Sequence, residues 1–416
     1  MSRIQRKLSP IFSATLTSPR TRSLRRRIGE SRRRLAGQPH RIRYFHQVDD
    51  PYSQLAAQVL GELVARYDVV LEPHLVGPPP DDAAPERERL EAFARKDAAD
   101  VAPAYGLSFP EHAAPPDRDA IALASRLLVA AIRAGRFADE APRVGAALWA
   151  GSSAALDTVA RDLAPADPEA TRSAVEGGTA LRRRLGHYLG GMLHYGESFG
   201  GEWYWGVDRL GHLERRLQSL GALRAGAAAD GIVVRPDHGN ERPLTSAPRQ
   251  RLEYFPSLRS PYTAIAMRRV LSMPERLPVD LVLRPVLPMV MRGLPVPSAK
   301  RLYILLDTKR EAEEAGEPFG HVCDPVGRPV ERGLSLYPFA REHGRAGEYL
   351  HAFTQAAFAE GIDTGTEAGL RHVVERAGLC FEAARPHLDG GIWREEIEDN
   401  RRVLLESGLW GVPSFR

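Results

Sequence analysis

Two short segments hold the residues best placed for chemistry, Asp50-Pro51-Tyr52-Ser53 and Ser260-Pro261-Tyr262-Thr263. In each, a residue able to cap a helix precedes a proline suited to the first helical position. A helix N-terminus offers free N–H donors and partial positive charge, which favour an anion. A thiol of pKa ~8.5 is mostly protonated at neutral pH, but is drawn toward thiolate at such a terminus. A serine hydroxyl adds one donor. A hydrogen bond to a charged partner contributes ~1.5–3 kcal/mol, about one to two pKa units. Neither segment contains cysteine, so a thiol handled there comes from outside. Ser260 would then stabilise a nucleophile without being one. It would serve equally as an N-cap alone, and a serine can do both.

The two segments lie in register. An offset of 210 pairs Tyr44 with Tyr254, Pro51 with Pro261, Tyr52 with Tyr262 and Ala56 with Ala266. After a small compensated indel the same offset pairs Asp97 with Asp307, Gly106 with Gly316, Phe109 with Phe319 and Gly151 with Gly361. This repeat is far longer than a solenoid unit and implies two tandem domains of one fold.

A chain of 416 residues with 43% apolar content can bury two ordinary cores. No apolar run reaches the ~18 residues of a membrane helix, so no membrane span is expected. Cys323 and Cys380 form no motif, which fits a reducing compartment and a cytoplasmic location. The net charge of +4 is unevenly spread. Residues 1–43 hold thirteen Lys/Arg and one acid, Glu30, leaving −8 for the rest. Arg25-Arg26-Arg27 and Arg32-Arg33-Arg34 could touch nucleic acid or anionic lipid. The plainer reading is a solvated, partly helical extension over residues 1–40, so a nucleic-acid partner is not expected. The tail also resembles an Arg-rich, acid-poor transit peptide.

The elements that must position the two segments follow from periodicity. Residues 41–48 and 69–76 predict strands and 51–67 a helix, hence a parallel pair with a crossover. Residues 85–185 are helical in pattern, broken at Pro110, Pro115-Pro116, Pro142 and Pro165. A glycine-rich stretch, 190–201, precedes the aromatic strand Trp203-Tyr204-Trp205 and a helix over 207–220. Residues 222–250 predict a linker between a first domain (41–221) and a second (251–416). The second repeats the order, with strands at 252–258 and 279–287, a helix at 261–273 and helical segments over 298–407. The fold class is α/β: each copy is strand–helix–strand, a large helical insertion, then a return to strand.

Copy two resembles the 2-hydroxychromene-2-carboxylate isomerases and kappa-class glutathione transferases of the DsbA-like thioredoxin clan. The resemblance rests on Tyr254-Phe255, Ser260-Pro261-Tyr262, the run Pro297-Ser298-Ala299-Lys300-Arg301-Leu302-Tyr303, and Asp307. Gly316, Pro318-Phe319-Gly320, Glu360-Gly361-Ile362-Asp363 and the closing 408–415 complete it. In copy one, Trp205-Gly206-Val207-Asp208-Arg209-Leu210 is similar to the family's closing Trp-Gly-x-Asp-Arg-Leu. The resemblance implies two tandem thioredoxin-like domains with large helical insertions. Thioredoxin-like folds keep a Cys-x-x-Cys pair where positions 50/53 and 260/263 stand, and both copies lack it.

The resemblance further implies a glutathione site in copy two. Ser260 would donate to the sulfur, and Lys300 would reach a glutathione carboxylate. Val412, Pro413 (usually cis in the family) and Ser414 would orient the tripeptide. The family's closing aspartate, which helps hold the glutamyl amine, has no counterpart after Phe415; Asp208 of copy one is one possible substitute. In copy one Asp50 would repel a thiolate, and Gly190-Gly191-Met192-Leu193 stands where Gly411-Val412-Pro413-Ser414 stands in copy two. Copy one is therefore expected to bind no glutathione and to act as a scaffold or diverged pocket. Ser53 reads as a surface hydroxyl, with a polar contact as the other option.

His187 and His194 have no metal-ligand spacing and read as ordinary polar or stacking residues; no metal site is expected. No phosphate loop or nucleophile elbow is present. The aromatic cluster at 203–205 reads as core, with a hydrophobic substrate wall as the minor option. Cys323 reads as a buried or turn residue.

The expected function is a glutathione-dependent isomerase or transferase acting on a hydrophobic, aromatic-type small molecule. In the isomerase form, a thiolate adds to a conjugated double bond, the bond rotates, and elimination restores the thiol. The alternatives are a non-catalytic tandem thioredoxin-like binding or scaffold protein, or a DsbA-family oxidoreductase-like protein lacking the cysteine pair. The residues leave the substrate's identity and the oligomeric state open.

Overall fold

The structure is a computed structural model, and it describes residues 3–196, 200–233 and 248–416. Two compact units emerge, residues 23–238 in one and residues 1–22 with 239–416 in the other. Two helices lead the chain, α1 (Arg3–Thr17) and α2 (Pro19–Leu35).

The unit of residues 23–238 continues with β1 (Arg41–His46), α3 (Pro51–Ala57), α4 (Leu60–Arg66) and β2 (Val70–Leu75). The helical insertion follows as α5 (Arg87–Val101), α6 (Arg118–Arg133), α7 (Phe137–Trp149), α8 (Ser153–Asp162) and α9 (Pro168–Arg184). The chain then returns as β3 (Met192–Tyr195), β4 (Glu202–Trp205) and α10 (Leu210–Ser219). The sheet order is β2-β1-β3-β4. β1 runs parallel to β2 and antiparallel to β3, and β4 closes antiparallel on β3. Ile42, Tyr44, Leu193 and Tyr204 are fully buried in its core.

The other unit opens with the same strand–helix–helix–strand order. It contains β5 (Gln250–Phe255), α11 (Pro261–Leu271), α12 (Met273–Arg276) and β6 (Val279–Leu283). Then come α13 (Ser298–Ala315), α14 (Arg328–Glu342), α15 (Ala346–Phe358), α16 (Glu367–Arg376), α17 (Phe381–Ala384), α18 (Trp393–Glu406) and β7 (Ser414–Phe415). β5 pairs parallel with β6 and antiparallel with β7, in the order β6-β5-β7. Tyr254, Tyr349 and Phe353 are fully buried in its main core. No helix among the described residues is long and apolar enough to cross a membrane.

Several local expectations need correction. The helix expected over 51–67 is two helices, α3 and α4, parted at Gln58, whose amide exchanges hydrogen bonds with the Ser108 backbone. Pro142 does not end a helix but lies inside α7. It stands early in the helix, where the missing N–H removes one backbone bond without stopping the chain. The glycine-rich stretch hides a strand, β3, only four residues long. Of the expected linker, residues 234–247 lie outside the described residues. Its first part is packed: Leu223 bridges Tyr67, and the Ile232 N–H donates to the Glu214 carboxylate.

The basic N-terminal segment also departs from a solvated extension. The Ser9 hydroxyl donates to the Val322 carbonyl over 2.8 Å, and the Val322 N–H donates to Ser13 Oγ over 2.8 Å. Arg6 pairs with Asp363 at 3.3 Å. Helix α1 therefore docks by its polar face, and its Ser13 and Thr17 are buried.

Candidate functional site

In the 239–416 unit, Ser260 has the extended backbone of an N-cap, and its Oγ accepts from the Thr263 N–H at 3.2 Å. Pro261 fills the first helical position, where it costs no backbone bond. The Ser260 hydroxyl also donates to the Val412 carbonyl, at 3.5 Å. The Val412–Pro413 bond is cis. Ser414 and Phe415 pair with Phe255 and Tyr254, which carries the 411–413 turn to the start of α11. The Ser414 hydroxyl is engaged inside that turn, donating to the Gly411 carbonyl at 2.6 Å.

Lys300 sits in the first turn of α13, with Nζ 5.6 Å from the ring centroid of Trp410. Burial pulls its ammonium down to about 8. The structure thus brings Ser260, Val412 and Pro413 together, and places Lys300 against the aromatic residue that leads into their turn. The hydroxyl, the positive end of the α11 dipole and the Lys300 ammonium suit a thiol-bearing anion.

Two supports escaped sequence reasoning. Tyr262, two residues into the motif, donates to Asp307 Oδ2 at 2.7 Å. Asp307 is fully buried and also bonded by Arg310 at 2.8 Å. The exact pairing of these positions with Tyr52 and Asp97 was the signal that could have found them. Arg259 grips Asp324 with two bonds of 2.7 Å, which fixes the loop just before Ser260. Nothing in the local pattern marks that pair.

The equivalent place in the 23–238 unit is built differently. Asp50 caps α3, and its Oδ2 accepts both the Ser53 N–H at 2.9 Å and the Ser53 hydroxyl at 2.6 Å. Burial raises the Asp50 carboxyl to about 6, against the opposing pull of the Ser53 bonds. Ser53 is not a surface hydroxyl. It is fully buried, because its Oγ also accepts the Gln47 N–H at 3.2 Å. Gly190 and Gly191 close over this terminus. A Cβ on Gly190 would lie 2.6 Å from Gln47 Cβ and 2.9 Å from Ser53 Oγ. Gly191 holds a φ of 62°, which suits glycine. Asp208 is bonded to its neighbour Arg209 at 2.5 Å.

The remaining candidates are structural. His187 stacks on Tyr188, and His194 lies 4.6 Å from Trp203. Tyr204 is core, and Trp205 packs edge-on against Tyr52. Cys323 is buried and Cys380 exposed. Burial holds the Cys323 thiol up at about 11, an unreactive state.

The family model for the DSBA-like thioredoxin domain matches residues 251–416. Among solved structures, the chain is similar to a 2-hydroxychromene-2-carboxylate isomerase at 19% identity, covering 40% of this chain and 85% of that one, with a TM-score of 0.35. It is similar also to the cytosolic disulfide reductase DsbM from Pseudomonas aeruginosa with GSH, at 18% identity, covering 40% and 85%, with a TM-score of 0.31. A putative protein disulfide isomerase from Nitrosomonas europaea matches at 16% identity, covering 42% and 84%, with a TM-score of 0.32. No curated protein matches the chain.

Proposed function

We propose that the 251–416 domain binds glutathione at the N-terminus of α11 and uses its thiolate on a hydrophobic, aromatic-type substrate. The carrying observation is the Ser260 hydroxyl, held between the Thr263 N–H and the Val412 carbonyl. A tripeptide entering there would take over the hydroxyl as donor to sulfur, since the 3.5 Å bond to Val412 is long and readily exchanged. The backbone of 412–414 would orient the peptide, and Lys300 would meet a carboxylate. The reaction is isomerisation or conjugation without net redox change, because positions 260 and 263 hold serine and threonine.

In this reading the chain is a tandem duplication whose first copy has lost the site. Supporting it, the tyrosine–aspartate bond recurs at the same length in both units. Asp50 stands where Ser260 stands, and Gly190-Gly191 stands where the proline turn stands. A carboxylate and a thiolate at one helix terminus would repel each other.

Titration of the intact protein with glutathione tests the reading. The expected result is a thermal shift, together with ultraviolet absorbance of bound thiolate near neutral pH that weakens in Ser260→Ala. No shift up to millimolar glutathione would favour a non-catalytic scaffold. A shift whose thiolate signal ignores Ser260→Ala would remove the role of that hydroxyl.

A further inference from the structure

Helix α1 is amphipathic the wrong way round. Its inward face is Ser9, Ser13 and Thr17, spaced four apart, with the two serines bonded to the Val322 backbone. Its outward face is Leu8, Ile11 and Phe12, at 58%, 66% and 69% exposure. These positions, at i, i+3 and i+4, form one stripe. Folding leaves this stripe in water although polar residues of the same helix were available to face out. An apolar helical face left outside in this way marks a contact with something else.

The surrounding sequence says what. Residues 1–43 carry thirteen Lys/Arg against one acid. Within the stripe's own unit, residues 1–22 carry five Lys/Arg and no acid, and Arg20 at the start of α2 is exposed. Apolar side chains bordered by arginines are the composition of a helix lying in the plane of an anionic bilayer surface. A second copy of the chain fits less well, because two such segments facing each other would set like charges together.

We propose that the outward face of α1 is a docking surface for anionic lipid, and that it holds the second unit at a membrane surface without crossing it. The stripe enters the headgroup boundary while the arginines meet lipid phosphates. The docked serine face keeps the helix fixed to the protein meanwhile.

The test is co-sedimentation of the full-length protein with vesicles of phosphatidylcholine alone or mixed with phosphatidylglycerol. Binding is expected only to the mixed vesicles, weakening as salt rises. The triple variant Leu8→Ser/Ile11→Ser/Phe12→Ser should lose binding by at least about tenfold with an unchanged melting temperature. Arg20→Gln, at an exposed position outside α1, is a second variant and should bind more weakly at low salt. Absence of binding to anionic vesicles at low salt would overturn the proposal. So would binding that the triple variant and Arg20→Gln both leave intact, or a concentration-dependent dimer that the triple variant dissolves.

Discussion

Tyr262 and Asp307, forty-five residues apart, are joined by a 2.7 Å hydrogen bond, and Tyr52 and Asp97 are joined by the same bond at the same separation. Each ties the helix that begins at the motif to the first helix of the insertion. Asp307 is fully buried, so removing this donor costs a buried carboxylate one of its hydrogen bonds. Tyr262→Phe should therefore destabilise the second unit by about 1–3 kcal/mol. Urea unfolding would measure this, and a loss below the error of the extrapolation would show that the bond contributes nothing net.

Ser260 and Asp50 are both N-caps, and only one suits a thiolate. Ser260→Asp separates the two roles. The cap survives, so the melting temperature should change little, whereas Ser260→Ala should lose about 1 kcal/mol. Glutathione binding, followed by calorimetry, should be abolished by the aspartate. Retained affinity in Ser260→Asp would mean that the sulfur does not sit at this helix terminus.

Asp50 makes the first unit sensitive to pH. Its carboxyl is raised to about 6 in the folded protein, above the ~3.9 of an unfolded chain. Between those values the folded state holds more protons, so this group's contribution falls as pH rises from about 4 to about 6. Asp50→Asn keeps an acceptor for the Ser53 N–H and removes the titration. The variant's stability relative to the parent should improve across that window. Unfolding curves at pH 4 and pH 7 that shift in parallel would contradict the assignment.

Gly190 has no room for a side chain. A methyl group there would press on Gln47 Cβ, Ser53 Oγ and Asp50 Oδ2, all within 3.1 Å. Gly190→Ala should destabilise the first unit by about 1–3 kcal/mol through overpacking. Gly177 has nothing within 4 Å of its added Cβ, and Gly177→Ala serves as the control. Equal melting temperatures for the two variants would sink the claim of a tight closure.

The strand–helix–strand opening of each unit was legible because its marker residues pack or bond. Tyr44 and Tyr254 are both fully buried, and the two prolines both open helices. Ser260, Val412 and Pro413 were grouped by the resemblance, and β7 accounts for it physically, since it starts antiparallel to the end of β5, just before α11. What stayed hidden depends on three-dimensional neighbours. Ser53 looks like a surface hydroxyl until the Gln47 N–H and Asp50 are seen around it. Strand β3 is too short to show alternation. The docking of α1 defied reading because it inverts the usual rule, with serines inward and leucine, isoleucine and phenylalanine outward.

Ser9 and its acceptor Val322 are 313 residues apart. During synthesis at ~5–20 residues per second, the opening helix would wait about 15–60 s for its seat to be made. Until then its serines and its greasy stripe are alike uncovered. Docking of this helix is thus a late event, completed only after the partner segment has been synthesised.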